Sequence, residues 1–235
     1  MLQSILTLTF ICSTFFGVAQ TLYLIPGTGA DYRLFDKLDL EDYEIVHLNY
    51  IEPEPKEHFE AYISRLAEKI DTTEKFGLIG VSLGGMIVTE LAEQLKPKVA
   101  IVIAGAKSRH ELPLTYRAFK YFPIHHIIGG RTMKWSTKRL QPIFEPMDEE
   151  AEHLFKEMLT AKSDYFLRSA VRWMINWERA TYDPSIVHIH GTKDHTLPVK
   201  NIEANYLIEK GGHMVVYTHA EEVSQLILNE LSSRF

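Results

Sequence analysis

Residues 76–95 read FGLIGVSLGGMIVTELAEQL and set Ser82 among Gly80, Gly84 and Gly85. Glycine is a poor component of a helix or a strand, so its crowding here marks a turn too tight for neighbouring side chains. Gly80-Val81-Ser82-Leu83-Gly84 is a G-x-S-x-G pattern lying between an apolar run and an amphipathic one. A serine at the top of a sharp strand-to-helix turn is strained and exposed, and side chains two positions either side would collide, so Gly80 and Gly84 carry none. The helix that follows, with Ile87, Leu91 and Leu95 on one face, aims the positive end of its dipole at the hydroxyl. A serine hydroxyl becomes a good nucleophile only when a base removes its proton. The chain offers eleven histidines for that task and one cysteine, Cys12, which excludes an internal disulfide and a cysteine metal site. His188 and His190 alternate on one face of an apolar run, the spacing of a metal pair. No third ligand is forced near them, and they read as structural strand residues. His125 and His126 are adjacent and point apart on a helix, and His195 reads as a loop residue.

The elements that must position such a group come from the apolar pattern. TLYLIPG, YEIVHLNYI, FGLIGVS, VAIVIAGA, SIVHIHG and ANYLIEKG are short apolar runs closed by turn residues, and each predicts a strand. DYRLFDKL has room for a short helix. EHFEAYISRLAEKI places Phe59, Tyr62, Ile63, Leu66, Ala67 and Ile70 in one helical stripe, and AEEVSQLILNELSS closes the chain as another helix. Apolar strands alternating with helices predict a parallel sheet covered on both faces, with right-handed crossovers. Ligands of such sheets bind beyond the carboxyl ends of the strands. The loops after the strands are therefore where chemistry is expected.

With the strand-turn-helix context around Ser82, the chain resembles the α/β-hydrolase family. The resemblance implies an α/β three-layer sandwich with a mostly parallel six-stranded sheet and a helical lid insertion. It covers most of the chain from residue 21 onward, in a minimal form that starts at the family's third strand. The family's chain order is nucleophile, acid, histidine. That order implies Asp194 as the acid, in HGTKDHTLP after the fifth strand, and His213 as the base, in EKGGHMV after the sixth. The rival Asp183 lies at the wrong end of its strand. The loop IPGTGAD after the first strand corresponds to the family's oxyanion loop, with Pro26 where a histidine is frequent. By position the backbone N–H groups of Thr28 and Leu83 would form the oxyanion hole. His213 would take the Ser82 proton and pass it to the leaving group, while Asp194 holds the imidazole tautomer.

From about Lys107 to Tyr182 the strand pattern stops. We expect residues 20–106 and 183–235 to form the core and residues 107–182 a helical lid over the carboxyl edge. DYFLRSAVRWMINWERA sets Phe166, Ala170, Trp173 and Trp177 on one face. Trp135, Trp173 and Trp177 read mainly as core, with at least one expected to face the cleft. Lys107, Arg109, Arg117, Lys120, Arg131, Lys134, Lys138 and Arg139 form a basic half with the single acid Glu111, and EPMDEEAEHLFKE follows as an acidic stretch. Such runs read first as solvated helix faces. The functional alternative is that the basic half meets an anionic group, with Tyr116, Phe119, Tyr121 and Phe122 suited to an acyl chain or a lipid interface.

Residues 1–19 carry no charged side chain, are apolar from Ile5 to Phe16 and end in Gly17 and Ala19 before Gln20. This resembles a secretory signal peptide, the alternative being an extra N-terminal strand. The expected location is secreted or periplasmic, with cytoplasmic as the alternative. The run is too short and too rich in threonine for a membrane span. A formal net charge of −6 over 235 residues gives no general case for nucleic-acid binding. The expectation is a serine hydrolase cleaving a small or acyl carboxylic ester through an acyl-enzyme on Ser82, with no metal and no cofactor. A thioesterase, a carrier-protein methyl esterase or an interfacial lipase would use the same groups, and a non-catalytic binding protein on this scaffold is the rival of another class.

Overall fold

The computed structural model describes residues 20–119 and 130–235. Residues 1–19, expected to be a signal peptide, with Cys12, and the positions Lys120, Tyr121, Phe122, His125 and His126, lie outside the described residues. The six apolar runs form six strands: β1 (Thr21–Ile25), β2 (Glu44–His47), β3 (Phe76–Val81), β4 (Val99–Ile103), β5 (Val187–Gly191) and β6 (Tyr206–Ile208). They make one sheet in the order β2-β1-β3-β4-β5-β6, and every pairing is parallel. Every residue of β3 and β4 is buried, which is why these strands read as continuous apolar runs rather than as an alternation.

Helices cover both faces. α1 (Phe59–Ala67) and α2 (Leu83–Leu95) pack together, α2 lying on β3 and β4, while the terminal helix α8 (Ala220–Arg234) packs on β4, with the short α7 (Val215–Thr218) just before it. Two glycines of opposite parity in β3 separate the faces. A Cβ on Gly77 would meet Phe235 at the end of α8, and one on Gly80 would meet Val88 of α2. The α1 stripe buries Phe59, Tyr62, Ile63 and Leu66, as its spacing predicts. A single 3-10 turn, Tyr32–Phe35, fills the place of the short helix expected after β1.

Between β4 and β5 the chain forms α3 (Leu114–Phe119), α4 (Gly130–Phe144), α5 (Glu149–Ala161) and α6 (Asp164–Asn176). The acidic stretch has a local cause. Asp148 caps α5 by accepting from Ala151 N, and Glu149, Glu150 and Glu152 occupy its first turn, where the dipole favours negative charge. Ser163 caps α6 in the same way. The tryptophan expectation is corrected. Trp173 is buried against Phe59 and Tyr62, and its indole N–H donates to Glu57 O at 3.0 Å. Trp177 is buried and donates to Glu90 Oε1 at 2.8 Å. Trp135 is 61% exposed with Arg139 over its ring, and none of the three lines the cavity at Ser82. A buried indole N–H needs an acceptor. Those acceptors lie at the entry to α1 and on α2.

The basic half is also less free than its sequence suggests. Lys107 is buried, donates to Glu203 O at 2.8 Å and stands over the Tyr182 ring. Arg109 pairs with Glu178 at 2.6 Å and Lys134 with Asp164 at 3.1 Å. Arg131 and Arg139 on α4 are exposed.

Candidate active site

The chain runs outward from β1 to β2 and then returns to place β3 on the other side of β1. The crevice beyond β1 and β3 is thus the switch point at which parallel sheets bind ligands. Ile25 and Gly80 are register partners at that edge, as are Val81 and Ile103. Ser82 therefore leaves the sheet beside the loop that carries Thr28.

Ser82 adopts φ 55° and ψ −115°, a left-handed strain on a residue with a side chain. No glycine among the described residues has a positive φ. The glycines of the motif serve close approach instead. A Cβ on Gly80 would sit 2.2 Å from Gly84 O, and one on Gly84 would sit 2.2 Å from Ile25 O. Without them α2 could not start against both β3 and β1. Ser82 N donates to Ile103 O at 3.0 Å, which ties the elbow to β4. Across the crevice, a Cβ on Gly27 would stand 3.4 Å from Ser82 Cβ. The Tyr50 hydroxyl donates to Pro26 O and holds that loop from behind. The N–H groups of Thr28 and Leu83 donate to no backbone or side-chain acceptor among the described residues.

The loops that carry Asp194 and His213 are pressed together in the same manner. A Cβ on Gly191, the last residue of β5, would lie 2.2 Å from Gly211 O. Lys193 N donates to Gly211 O at 2.8 Å, and Thr192 N donates to Ile208 O at 3.0 Å. Asp194 is buried, and its Oδ1 accepts from Leu197 N at 2.7 Å. Its Oδ2 lies 2.8 Å from His213 Nδ1, and His213 Nε2 lies 3.0 Å from Ser82 Oγ. The structure thus brings Ser82, Asp194 and His213 into one hydrogen-bonded row, with Thr28 and Leu83 at its open end. Asp183 caps the turn before β5 by accepting from Ser185 N and takes no part.

Burial works to raise the Asp194 carboxyl, but the His213 charge and hydrogen bond, the Leu197 N–H and His190 outweigh it and hold it below the usual carboxylate range. Burial works to lower His213, but the Asp194 charge and hydrogen bond, joined by Glu145, outweigh it and raise the imidazole. His190 belongs to the acid's surroundings. It is fully buried, with Nε2 at 2.8 Å from Leu197 O and 3.5 Å from Asp194 Oδ2. His188 is also fully buried, its ring packed edge-on against that of His190. Among the described residues no group of three His, Cys, Asp or Glu side chains is set to hold a metal ion.

Ser82 and His213 open into a cavity of about 190 Å³. Leu34 of the 3-10 turn, Phe155, Met158 and Leu159 of α5, and Leu167, Val171 and Met174 of α6 give it an apolar wall. Tyr116 of α3 and Thr137 and Gln141 of α4 add polar edges, and among the described residues no Lys, Arg, Asp or Glu lines it. Two residues at the site escape sequence reasoning. Tyr50 sits in the run after β2 with nothing to distinguish its hydroxyl. Glu145 opens the acidic stretch that reads as a solvated face, yet it is buried and accepts from His213 N at 3.1 Å.

The comparisons agree with this architecture. A family model described as "Alpha/beta hydrolase family" matches residues 22–226. None of the curated proteins matches the chain. Among solved structures, the chain is similar to a thermophilic esterase from Thermogutta terrifontis at 17% identity, with TM-score 0.64 over 92% of this chain and 91% of that one. It is similar to MenH from S. aureus at 17% identity, with TM-score 0.70 over 92% and 94%. An enol-lactonase from Burkholderia xenovorans gives 12% identity and TM-score 0.70 over 92% of both chains. At these identities the likeness shows the fold.

Proposed function

Because the chain belongs to the alpha/beta hydrolase family, we propose that it is a serine hydrolase that cleaves an uncharged carboxylic ester with a compact apolar acyl group. The observation that carries this reading is the row Ser82–His213–Asp194 opening into an apolar cavity that no charged side chain among the described residues lines. In the tautomer favoured by Asp194, Nδ1–H donates to the carboxylate and Nε2 accepts from the Ser82 hydroxyl. Nε2 takes that proton as Oγ attacks the ester carbonyl. The oxyanion forms between the Thr28 and Leu83 N–H groups, each such donor contributing about 3 kcal/mol in comparable sites. The tetrahedral intermediate collapses, the C–O bond breaks and His213 protonates the departing alcohol. Water, deprotonated by His213, then attacks the acyl-enzyme and releases the acid and free Ser82. The helices between β4 and β5 act as the lid that excludes solvent, since α5 and α6 supply most of the apolar wall.

The named neighbours, an esterase and an enol-lactonase among them, are compatible with ester chemistry. A second reading rests on α4, which turns Thr137 and Gln141 to the cavity while Arg131 and Arg139 face out. On that reading the leaving part of the ester carries an anionic group that stays outside. The test is a panel of p-nitrophenyl esters of increasing acyl length, with wild type and Ser82→Ala. Turnover by wild type that Ser82→Ala lacks supports the proposal, and equal turnover by both removes it. Adding an anion to the leaving group and comparing KM decides the second reading. Residues 1–19 are proposed as a cleaved signal peptide, tested by N-terminal sequencing of exported protein.

A further inference from the structure

We propose that Glu145 is a positioning residue for the triad, a single buried carboxylate that ties the helices between β4 and β5 to both the acid loop and the base loop. The proposal rests on the serine hydrolase reading. Glu145 follows directly on α4 and is 4% exposed. Its Oε2 accepts from His213 N at 3.1 Å and His195 N at 3.3 Å. Its Oε1 accepts from Thr196 Oγ1 at 2.5 Å. One side chain therefore grips the residue that carries the base and the two residues that follow the acid. Gln141, one turn earlier on α4, donates to the same Thr196 hydroxyl at 3.2 Å. The neighbouring backbone is equally close, since a Cβ on Gly212 would lie 2.8 Å from Pro146 Cδ and 3.0 Å from Pro146 O.

This arrangement does two things that packing alone would not. It sets the distance between the two loops, and so the reach of His213 Nε2 toward Ser82. It also places a second negative group beside an imidazole that must become a cation in the transition state. The groups that face His213 are Asp194 from the loop after β5, His190 from β5 itself, and Glu145 from the end of α4; Tyr116 of α3 faces Asp194 and Glu145. Of these, Asp194 and Glu145 favour the cation. Glu145 does not line the cavity, so its effect belongs in kcat rather than KM. It also fixes where the lid cannot hinge. Movement at Glu145 would strand a buried carboxylate away from its donors.

The experiment compares wild type, Glu145→Gln and Glu145→Ala on a p-nitrophenyl ester across pH, with each rate divided by the serine titrated by a fluorophosphonate. Gln keeps the size and one acceptor oxygen while removing the charge. The expected result for Glu145→Gln is a roughly ten- to hundredfold lower kcat per titrated serine, the range for a lost hydrogen bond to a charged group. KM stays within twofold, and the alkaline-rising limb of kcat/KM moves to lower pH. Glu145→Ala shows the larger kcat loss and the lower thermal midpoint. A Glu145→Gln profile that overlays wild type per titrated serine overturns the proposal and leaves the serine mechanism standing. A loss of activity accounted for wholly by loss of titratable serine overturns it too, since that is a folding effect. If the fluorophosphonate fails to label wild-type Ser82, the serine reading itself fails and the positioning role falls with it.

Discussion

Gly84→Ala is the substitution for which the structure makes the sharpest demand. The added Cβ would sit 2.2 Å from Ile25 O and 2.6 Å from Pro26 O, and both contacts are to backbone rather than to a side chain that could swing away. Restoring even 3.0 Å requires the start of α2 to withdraw from the end of β1 by about 0.8 Å. The withdrawal acts on Leu83, the first residue of α2, whose N–H is one of the two proposed oxyanion donors, and on Ser82 before it. Misplacement of about 1 Å in a reacting constellation costs on the order of a hundredfold in rate, and loss of one oxyanion donor costs roughly a hundred- to a thousandfold. The expected kcat is therefore about one hundredth of wild type or less. KM should stay nearly unchanged, because the apolar wall formed by α5 and α6 is untouched. Overpacking should remove about 1–3 kcal/mol of stability, which lowers the thermal midpoint by several degrees. The assay is steady-state turnover of a p-nitrophenyl ester together with the affinity of a trifluoromethyl ketone, which resembles the tetrahedral intermediate and should weaken in parallel with kcat. A folded Gly84→Ala protein with kcat within twofold of wild type would refute the reasoning that this contact sets the position of a catalytic Leu83 N–H.

Three further outcomes follow from the same geometry. In Asp194→Asn an amide oxygen can still accept from Leu197 N, but the amide NH2 faces His213 Nδ1 and forces the proton to Nε2, where it meets Ser82. The chain should fold, judged by circular dichroism, while kcat falls by about a thousandfold or more. The pH profile of kcat/KM should rise through an inflection above 6.5, because a base whose pKa is raised is deprotonated only above that raised value. An inflection below 6.5 would mean that burial outweighs Asp194 and Glu145. Leu159→Ala opens the wall of the cavity beside Gly29, where a Cβ would meet Leu159 Cδ1 at 3.1 Å. The ratio of kcat/KM for long over short acyl esters should rise by about tenfold or more, at a stability cost of about 2 kcal/mol or somewhat more, read from the thermal midpoint.

Much of this architecture is legible in the sequence because its causes are local. The strands β3 and β4 are covered on both faces, and that condition writes a continuous apolar run. The elbow at Ser82 is legible because the steric need for glycine at positions 80 and 84 arises within five residues. Asp194 and His213 stand out less, since each is one of many acids or histidines; the order of the loops singles them out. Their meeting in space depends on two loops that touch at Gly191 and Gly211. Tyr50 and Glu145 leave no periodic trace. Each acts through a carboxylate or a hydroxyl that reaches across sequence, Tyr50 over 24 positions to Pro26 O and Glu145 over 68 positions to His213 N. Glu145 is further hidden by the acids after it. Glu149 and Glu150 are exposed residues of a helix N-terminus, and the stretch as a whole takes on their character. The tryptophan expectation fails for a related reason. Helical spacing identifies the buried face of α6, yet the partner that claims an indole N–H lies on another element.

The rim of the sheet is assembled by one physical device used three times. Gly80 and Gly84 bring α2 against β3 and β1, Gly191 and Gly211 bring the acid loop against the base loop, and Gly212 brings the base loop against Pro146. At each contact a Cβ would lie within 2.8 Å of another residue's atoms. None of these glycines has a left-handed φ, whereas Ser82 does. The distinction matters for energetics. Strain is concentrated on Ser82, the proposed nucleophile, where it holds Oγ out toward His213, and it is sustained by contacts that fix the backbone on either side of it. A glycine chosen for φ freedom would add disorder to the rim. A glycine chosen for contact removes it, because two backbones in van der Waals contact have little room to slide. The rigidity proposed for the site thus resides in backbone-to-backbone distances. Substitutions that lengthen those distances should lower kcat before they unfold the chain.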